Sequence, residues 1–166
     1  QSGCDQFCAY CIIPYLRGPL KSVPLHEIRS LLEKIRDENF KEVVLTGIHI
    51  GKYGKDLSDG STLADVVKAG YETVGRVRMG SLESPEIDER LFEYAKEGMI
   101  LPHWHIPLQS GCDKTLHDMR RPYKTDDFRR SVEKVIGCYD SMPAFGTDVI
   151  TGFPGETDED FAETTE

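Results

Sequence analysis

The chain has 166 residues, a formal net charge of −9 and a hydrophobic content of 39%. This length suffices for one domain with a buried core, and no apolar run approaches the roughly 20 residues that span a bilayer. The acidic net charge argues against a chain that binds nucleic acid by itself, because phosphate binding requires clustered Lys and Arg. Nothing resembles a signal peptide, so we expect a cytoplasmic, reducing location and no membrane partner.

Two short basic runs are local exceptions to the acidic charge. One is Arg120-Arg121 with Lys124, and the other is Arg129-Arg130. They could form one basic stripe that contacts phosphates, although such short runs are more often solvated faces of helices.

Apolar periodicity predicts helices and short buried strands that alternate along the chain. Ile28, Leu31 and Ile35 form one helical stripe, and Thr62 with Asp65 forms a capping box in which Asp replaces the usual Glu. Helices are predicted over Pro24–Asn39, Thr62–Gly70, Ser84–Gly98, Lys114–Met119, Thr125–Ile136 and from Thr157 onward. Strands are predicted over 42–46, 77–81, 103–108 and 144–151.

This alternation predicts an α/β fold with right-handed crossovers, arranged as a doubly wound sheet or a (β/α) barrel. Two observations favour the barrel. Small or polar residues follow each strand, and the carboxyl ends of barrel strands hold the functional groups. In addition, His103, His105 and Gln109 alternate with apolar residues, which predicts a polar, ligand-holding interior. The two histidines are at least as well explained as hydrogen-bonded core residues.

Three cysteines, Cys4, Cys8 and Cys11, lie within eight positions of one another. An iron–sulfur cube is normally held by four cysteines, one for each iron. A loop with three therefore predicts a cluster with one iron left open to a small molecule. A structural zinc site would need a fourth ligand, such as His26, Cys112 or another distant residue. A disulfide framework fits less well, because the five cysteines are odd in number and three of them crowd one loop.

Together with Tyr10, these cysteines resemble the radical S-adenosylmethionine (SAM) superfamily, whose motif is Cys-x3-Cys-x-aromatic-Cys. The resemblance implies a [4Fe-4S] cluster whose open iron chelates SAM. In this superfamily, an electron passed through the cluster cleaves SAM to methionine and a 5′-deoxyadenosyl radical. A protein of the flavodoxin or ferredoxin type is the expected electron donor.

Longer segments resemble one branch of the superfamily, the methylthiotransferases. The matching segments are 11–18, 105–111 and 147–157. Residues 45–54 are most similar to the enzymes that add a methylthio group to C2 of N6-threonylcarbamoyladenosine (t6A), next to the tRNA anticodon. The resemblance therefore implies a tRNA substrate. Alternatives are a methylthiotransferase for isopentenyladenosine in tRNA or for a ribosomal protein and, from another class, a metal-stabilised binding domain without catalysis.

The resemblance also predicts that residues 1–166 are the radical SAM core of a longer protein. We expect a partial (β/α)6 TIM-like barrel, truncated at both ends, whose first strand would precede Gln1 and whose last strand would follow Glu166. A domain with three cysteines for an auxiliary [4Fe-4S] cluster and a carboxy-terminal RNA-binding domain are expected outside the chain. Because two sheet edges would be exposed, we expect that the segment does not fold stably alone.

Roles for individual residues follow from the same resemblance. Cys4, Cys8 and Cys11 are expected to ligate iron. The residues expected to contact SAM are Tyr10 at the adenine, Thr46 and Gly47 at the methionine amino group, Glu83, Gln109 and Ser110 at the ribose hydroxyls, Arg17 at a carboxylate or phosphate, and Gly152 through its backbone. Structural alternatives are a packing ring for Tyr10, an anionic first helical turn for Glu83, a surface position for Arg17 and a purely structural turn at Gly152. No acid–base catalyst is predicted.

Overall fold

Helices and short parallel strands alternate along the chain in the computed structural model, which describes residues 1–165. The helices are α1 (Ile13–Arg17), α2 (Leu25–Asp37), α3 (Leu63–Val74), α4 (Glu89–Lys96), α5 (Asp113–Asp118), α6 (Thr125–Ile136) and α7 (Asp158–Thr165). The strands are β1 (Val43–Leu45), β2 (Val77–Met79), β3 (His103–His105) and β4 (Ala144–Gly146). Single 3-10 turns cover Ile50–Lys52 and Ser84–Glu86. This order confirms the predicted α/β class.

The strands lie side by side in chain order. β1 pairs in parallel with β2, and β3 pairs in parallel with β4. Parallel bridges from Val77 to Ile100 and from Ser81 to His105 connect β2 to β3. Four strands in a row do not by themselves close a barrel, so the described residues show parallel α/β architecture and no more than that.

Each strand is shorter than predicted, with three residues in regular pairing. Pro107 explains the early end of β3, because proline has no N–H to donate to a neighbouring strand. Pairing resumes beyond it, where a parallel bridge joins Gln109 to Val149. Gln109, which follows β3, therefore stays hydrogen-bonded to the segment after β4.

The core lies between the strands and the helices that connect them. Val67, Val77 and Trp104 are completely buried, and the indole Nε1 of Trp104 donates a hydrogen bond of 2.9 Å to the hydroxyl of Tyr139. Over residues 103–106, Trp104 and Ile106 are buried whereas His103 and His105 are partly exposed. The predicted alternation holds over these four residues and does not continue to Leu108, which is partly exposed, and Gln109, which is buried.

Local hydrogen bonds explain where the helices begin. The capping box of α3 forms as predicted: the carboxylate of Asp65 accepts hydrogen bonds from the backbone N–H and the hydroxyl of Thr62, each of 2.8 Å. The prediction that a helix starts at Ser84 was wrong. The α-helix begins at Glu89, because the carboxylate of Asp88 accepts the N–H of Leu91 at 3.0 Å.

The end of α3 was also predicted too early. Gly70 lies within the helix, where a Cβ atom would meet a methyl group of Val77 at 3.1 Å. Its lack of a side chain therefore permits close packing on β2. The helix stops at Gly75, whose φ of 87° is the left-handed conformation that glycine adopts readily.

No helix within residues 1–165 is both long and apolar enough to cross a membrane.

The carboxyl group of Asp65 leads to a pH prediction. The guanidinium of Arg90 donates to it at 2.7 Å, and this bond, with those from Thr62, lowers the pKa of Asp65 to about 2. Because the unfolded pKa is about 4, the stabilisation is complete above that pH and is lost as the pH falls towards 2. We expect Asp65→Asn to lower the free energy of unfolding at pH 7 by about 1 kcal/mol.

Urea unfolding of the full-length protein at pH 7 and at pH 3 measures this effect, and the difference between variant and parent should shrink at pH 3. Asp37→Asn is the control, because Asp37 forms only an exposed pair with Arg36. An equal loss in the two variants would contradict the prediction.

Candidate functional site

The three thiols of the amino-terminal loop line a single cavity of about 160 Å³. The other walls come from residues that follow three neighbouring strands: Ile48 and His49 after β1, Ser81 and Glu83 after β2, and Pro107 and Gln109 after β3. In parallel sheets, ligands bind outside the carboxyl ends of the strands. The cavity lies at that edge.

Backbone hydrogen bonds position the cysteine loop over the strand ends. The N–H of Cys11 donates to the carbonyl of Cys8 at 3.1 Å, which makes a tight turn between these two ligand positions. The N–H of Cys4 donates to Gly18 at 3.1 Å, and the N–H of Ala9 donates to Met119 at 3.0 Å. The loop is therefore fixed both to the segment after α1 and to the end of α5.

The arrangement of the thiols fits an iron–sulfur cube better than a single metal ion. A zinc ion binds thiolates at about 2.3 Å, so its ligand atoms must crowd around one point. Within residues 1–165, the sets of potential ligand atoms that lie within 4.8 Å of one another are Cys4–Asp5–His49 and His49–Glu83–Glu86. Neither set contains two thiols. Thiols spread around one cavity are what a cube needs, with one thiolate for each of three irons.

The two fourth ligands considered for zinc are absent from the cavity wall. Cys112 is buried elsewhere, with its sulfur 3.5 Å from a carboxylate oxygen of Asp160. His26 lies in the first turn of α2. His49 does line the cavity, but within residues 1–165 its possible ligand sets contain no thiol other than that of Cys4. The donor set therefore favours the cluster with three cysteine ligands.

Arg121 is the charged side chain closest to the thiol of Cys8. One of its terminal nitrogens donates to that sulfur at 3.1 Å and to the hydroxyl of Tyr10 at 3.2 Å. The other lies 2.7 Å from a carboxylate oxygen of Glu83. Burial lowers the pKa of Arg121, but attraction by Glu83, with smaller contributions from the nearby tyrosines and Cys8, raises the pKa above its ordinary value. The guanidinium is therefore a permanent cation beside the thiols.

His49 connects the thiol of Cys4 to a carboxylate. Its Nδ1 lies 3.2 Å from the sulfur, and its Nε2 lies 2.5 Å from a carboxylate oxygen of Glu86. The ring is buried, and the backbone N–H of His49 is held by the side-chain carbonyl of Gln1 at 2.7 Å. Burial raises the pKa of the Cys4 thiol, which the hydrogen bond from the N–H of Gln6 partly opposes. Cys4 and Cys8 thus each have a polar partner from a distant part of the chain.

The structure brings together some of the residues predicted to contact SAM. Glu83 and Gln109 line the cavity with the thiols. Gln109 is buried and has a φ of 67°, the left-handed conformation that few residues other than glycine adopt. Tyr10 lies next to these groups, since its hydroxyl contacts Arg121.

Other predicted SAM contacts lie outside this cavity. The hydroxyl of Ser110 lies 3.2 Å from that of Thr164 on α7 and accepts the N–H of Cys112 at 3.1 Å. Gly152 is in an exposed turn that the carboxylate of Glu156 closes by accepting its N–H at 2.5 Å. The remaining three are exposed: Arg17 in the last turn of α1, and Thr46 and Gly47 just after β1.

Sequence reasoning missed Arg121 and His49. Arg121 was considered only as part of a basic run, and its partners Cys8 and Glu83 are 113 and 38 positions away. His49 stands between Ile48 and Ile50 in the sequence. Apolar neighbours on both sides were the available signal that this histidine would be buried.

A family comparison decides what this geometry represents. The model of the radical SAM superfamily matches residues 1–166. The chain belongs to the radical SAM superfamily. The cysteine loop and its cavity lie within the matched residues.

Curated relatives of the chain include tRNA-modifying enzymes. The chain is 40% identical to the threonylcarbamoyladenosine tRNA methylthiotransferase MtaB of Bacillus subtilis, over 99% of this chain and 37% of the relative. It is 39% identical to MtaB of Thermotoga maritima, over 100% of this chain and 38% of the relative. It is 36% identical to the tRNA-2-methylthio-N(6)-dimethylallyladenosine synthase of Thermotoga petrophila, over 98% and 37% respectively. The chain thus spans less than half the length of these relatives.

Solved structures of more distant radical SAM enzymes share the fold. The methyltransferase TsrM from Kitasatospora setae, solved with cobalamin and a [4Fe-4S] cluster, superimposes with a TM-score of 0.70. That match covers 99% of this chain and 30% of TsrM, at 13% identity. The cobalamin-dependent enzyme OxsB gives a TM-score of 0.67 at 14% identity, over 98% of this chain and 25% of OxsB.

Replacement of the loop cysteines tests the assignment of the site. Cys4→Ala, Cys8→Ala and Cys11→Ala should each lose most of the iron and sulfide of this cluster, because two thiolates leave two irons without a protein ligand. Iron and sulfide per chain, measured after anaerobic purification, report this loss. Cys138→Ala is the matched control, because this buried thiol donates a hydrogen bond to the carbonyl of Lys134 and is not part of the cavity wall. Full retention in the loop variants, or an equal loss in the control, would contradict the assignment.

Proposed function

We propose that this chain is the radical SAM core of an enzyme that adds a methylthio group to C2 of t6A in tRNA, next to the anticodon. One observation supports this most directly: a single loop delivers three thiols to a cavity at the carboxyl ends of three parallel strands. The curated relatives at 39–40% identity that are named for this reaction supply the substrate. The proposal makes the protein a transferase of a sulfur-containing group.

We further propose that the strands are part of a (β/α)6 barrel. Chain-order pairing of parallel strands supports this, because the strand order of a doubly wound sheet reverses at a switch point. The outer side of β1 is apolar and open: the side chain of Val44 is 47% exposed. It borders a cavity of about 410 Å³ that Leu31 and Leu45 also line. An additional strand at this edge, from a part of the full-length protein outside this chain, would cover it.

In the proposed site, Cys4, Cys8 and Cys11 hold the [4Fe-4S] cluster. When bound, the cluster and SAM supply the radical chemistry with which the superfamily abstracts hydrogen atoms. Glu83 and Gln109 are the side chains placed to orient SAM, since both line the same cavity as the thiols. The apolar side chains of Ile13, Ile48 and Pro107 form the rest of the wall and exclude water from the reacting groups.

We also propose SAM contacts from residues that do not line the cavity. Tyr10 is adjacent to the cavity. Backbone groups of Thr46, Gly47 and Gly152 are exposed, as is Arg17, and they remain accessible to a ligand. The hydroxyl of Ser110 is already bonded to Thr164, so we propose that Gln109 rather than the Ser110 hydroxyl reaches SAM.

We propose that the full-length protein adds what the tRNA reaction still requires. These parts are a domain with an auxiliary [4Fe-4S] cluster as the source of sulfur, and an RNA-binding domain. The net charge of −9 supports the proposal that tRNA affinity comes mainly from outside this chain. A flavodoxin or ferredoxin would supply the electron, and the cytoplasm, where tRNA is modified, is the proposed location.

Two neighbouring polar residues provide a test of SAM binding. Gln109→Asn shortens a side chain in the cavity while keeping a residue that tolerates positive φ, and we expect SAM to bind about 5- to 10-fold more weakly, as for one lost hydrogen bond. Ser110→Ala should leave SAM affinity unchanged. Equilibrium dialysis with the cluster-loaded, full-length protein measures both values. The opposite ranking would overturn the assignment of Gln109.

Nucleoside analysis of tRNA tests the substrate. A strain without the gene should lack 2-methylthio-t6A and retain t6A, and expression of the full-length gene should restore it. Mass spectrometry of digested tRNA measures both nucleosides. Unchanged 2-methylthio-t6A would end the assignment, and loss of the methylthio-dimethylallyl nucleoside instead would favour the 36% identical relatives. Failure of the reconstituted protein to form 5′-deoxyadenosine from SAM would indicate a binding domain without catalysis.

A further inference from the structure

We propose that Arg121 is a positioning residue that raises the reduction potential of the radical SAM cluster through its hydrogen bond to the sulfur of Cys8. This inference rests on the proposed function, since it requires the cluster on the three thiols. It adds a determinant of cluster reduction that neither the cysteine motif nor the SAM contacts contain.

The geometry around Arg121 leaves its guanidinium little freedom. The side chain is only 4% exposed. Its Nε donates to the hydroxyl of Tyr123 at 3.2 Å, and the guanidinium carbon lies 4.9 Å from the centre of the Tyr123 ring. The Tyr123 hydroxyl is itself bonded to the carbonyl of Pro107 at 2.9 Å. Arg121 is thus clamped between the end of β3 and the cysteine loop.

The ion pair with Glu83 orients the guanidinium of Arg121 towards the thiol of Cys8. One terminal nitrogen is 2.7 Å from Glu83, which leaves the other to donate to Cys8 at 3.1 Å. Glu83 is further held by the side-chain amide of Gln6, at 3.2 Å. Arginine suits this place because its planar fork can serve two acceptors at fixed angles.

A buried cation that donates to a ligand sulfur has a definite effect on a cluster. Reduction adds one electron and therefore one negative charge, and a nearby positive charge stabilises the reduced state more than the oxidised state. Hydrogen bonds to cluster sulfurs are among the factors that set the potential. The burial of Arg121 limits screening by solvent, so its influence on the potential should be large relative to that of a surface arginine.

The thiols of Cys4 and Cys8 differ in their hydrogen-bond partners. Cys4 faces His49 and the backbone N–H of Gln6, whereas Cys8 faces a permanent cation. Among the hydrogen bonds of residues 1–165, no other guanidinium or ammonium reaches a thiol of the loop. Arg121 therefore acts on the cluster from one side, at Cys8.

The test is the midpoint potential of the cluster in the full-length, anaerobically purified protein. Dithionite supplies the electron, and electron paramagnetic resonance (EPR) follows the reduced cluster. The signal that changes when SAM is added identifies the cluster with the open iron. Arg121→Met should shift its midpoint potential to a more negative value. Arg120→Met is the matched control, because it removes the same charge from the adjacent, exposed position, and its potential should equal that of the parent.

A double variant distinguishes the effect of the hydrogen bond on the midpoint potential from the effect of the charge alone. Arg121→Met with Glu83→Gln removes one positive and one negative charge, so the net charge near the cluster is unchanged. Its potential should still lie below that of the parent, because the N–H···S bond is gone. A double variant with the parent potential would overturn the inference, as would an Arg121→Met variant with the parent potential.

Arg121→Lys keeps the inference falsifiable if the methionine variant does not retain its cluster. Lysine keeps the charge but has no planar fork to serve Glu83 and Cys8 together, so its potential should lie between those of parent and methionine variant, and in any case below the parent. A lysine variant with the parent potential would overturn the inference. A parent protein without a SAM-responsive cluster would instead overturn the proposed function itself, and that result is distinguishable from every other outcome.

Discussion

The parallel direction of the strands is the constraint on which the site depends. Each connecting helix returns the chain to the side of the sheet where the strands begin. Every strand therefore ends beside the carboxyl end of its neighbour. The residues that follow β1, β2 and β3 therefore meet at one place, although they are separated by about thirty positions in the chain. The cysteine loop has no core of its own and takes its position from this edge and from the end of α5.

Polar and charged side chains around the thiols form two separate networks. Arg121, Glu83 and Gln6 lie on the side of Cys8, and His49 with Glu86 lies on the side of Cys4. Burial of a charge is costly unless a partner of opposite sign and further hydrogen bonds compensate for it. Arg121 and Glu83 compensate for each other in this way, so their network holds an N–H donor in place beside the thiol of Cys8.

The other basic residues are engaged in a different way. Arg129 and Arg130 pair with Asp126 and Asp127 on their own helix, α6. Arg121 is buried, so the basic run noted in the sequence does not form a continuous stripe on the surface. These three arginines are thus paired within the fold, which is consistent with our proposal that tRNA affinity comes mainly from outside this chain.

The amino-acid sequence by itself determined the α/β class, the capping box at Thr62, the cysteine motif and the superfamily, because these depend on neighbours within a few positions. Periodicity misplaced the start of α4, since a competing cap at Asp88 has the same local pattern as Ser84. Only the tertiary structure decided that Gln109 faces the thiols while the Ser110 hydroxyl faces α7, and that Arg121 and His49 reach Cys8 and Cys4. The physical reason is that these contacts join residues 45 to 113 positions apart, and a distance of that kind is set by how the elements pack.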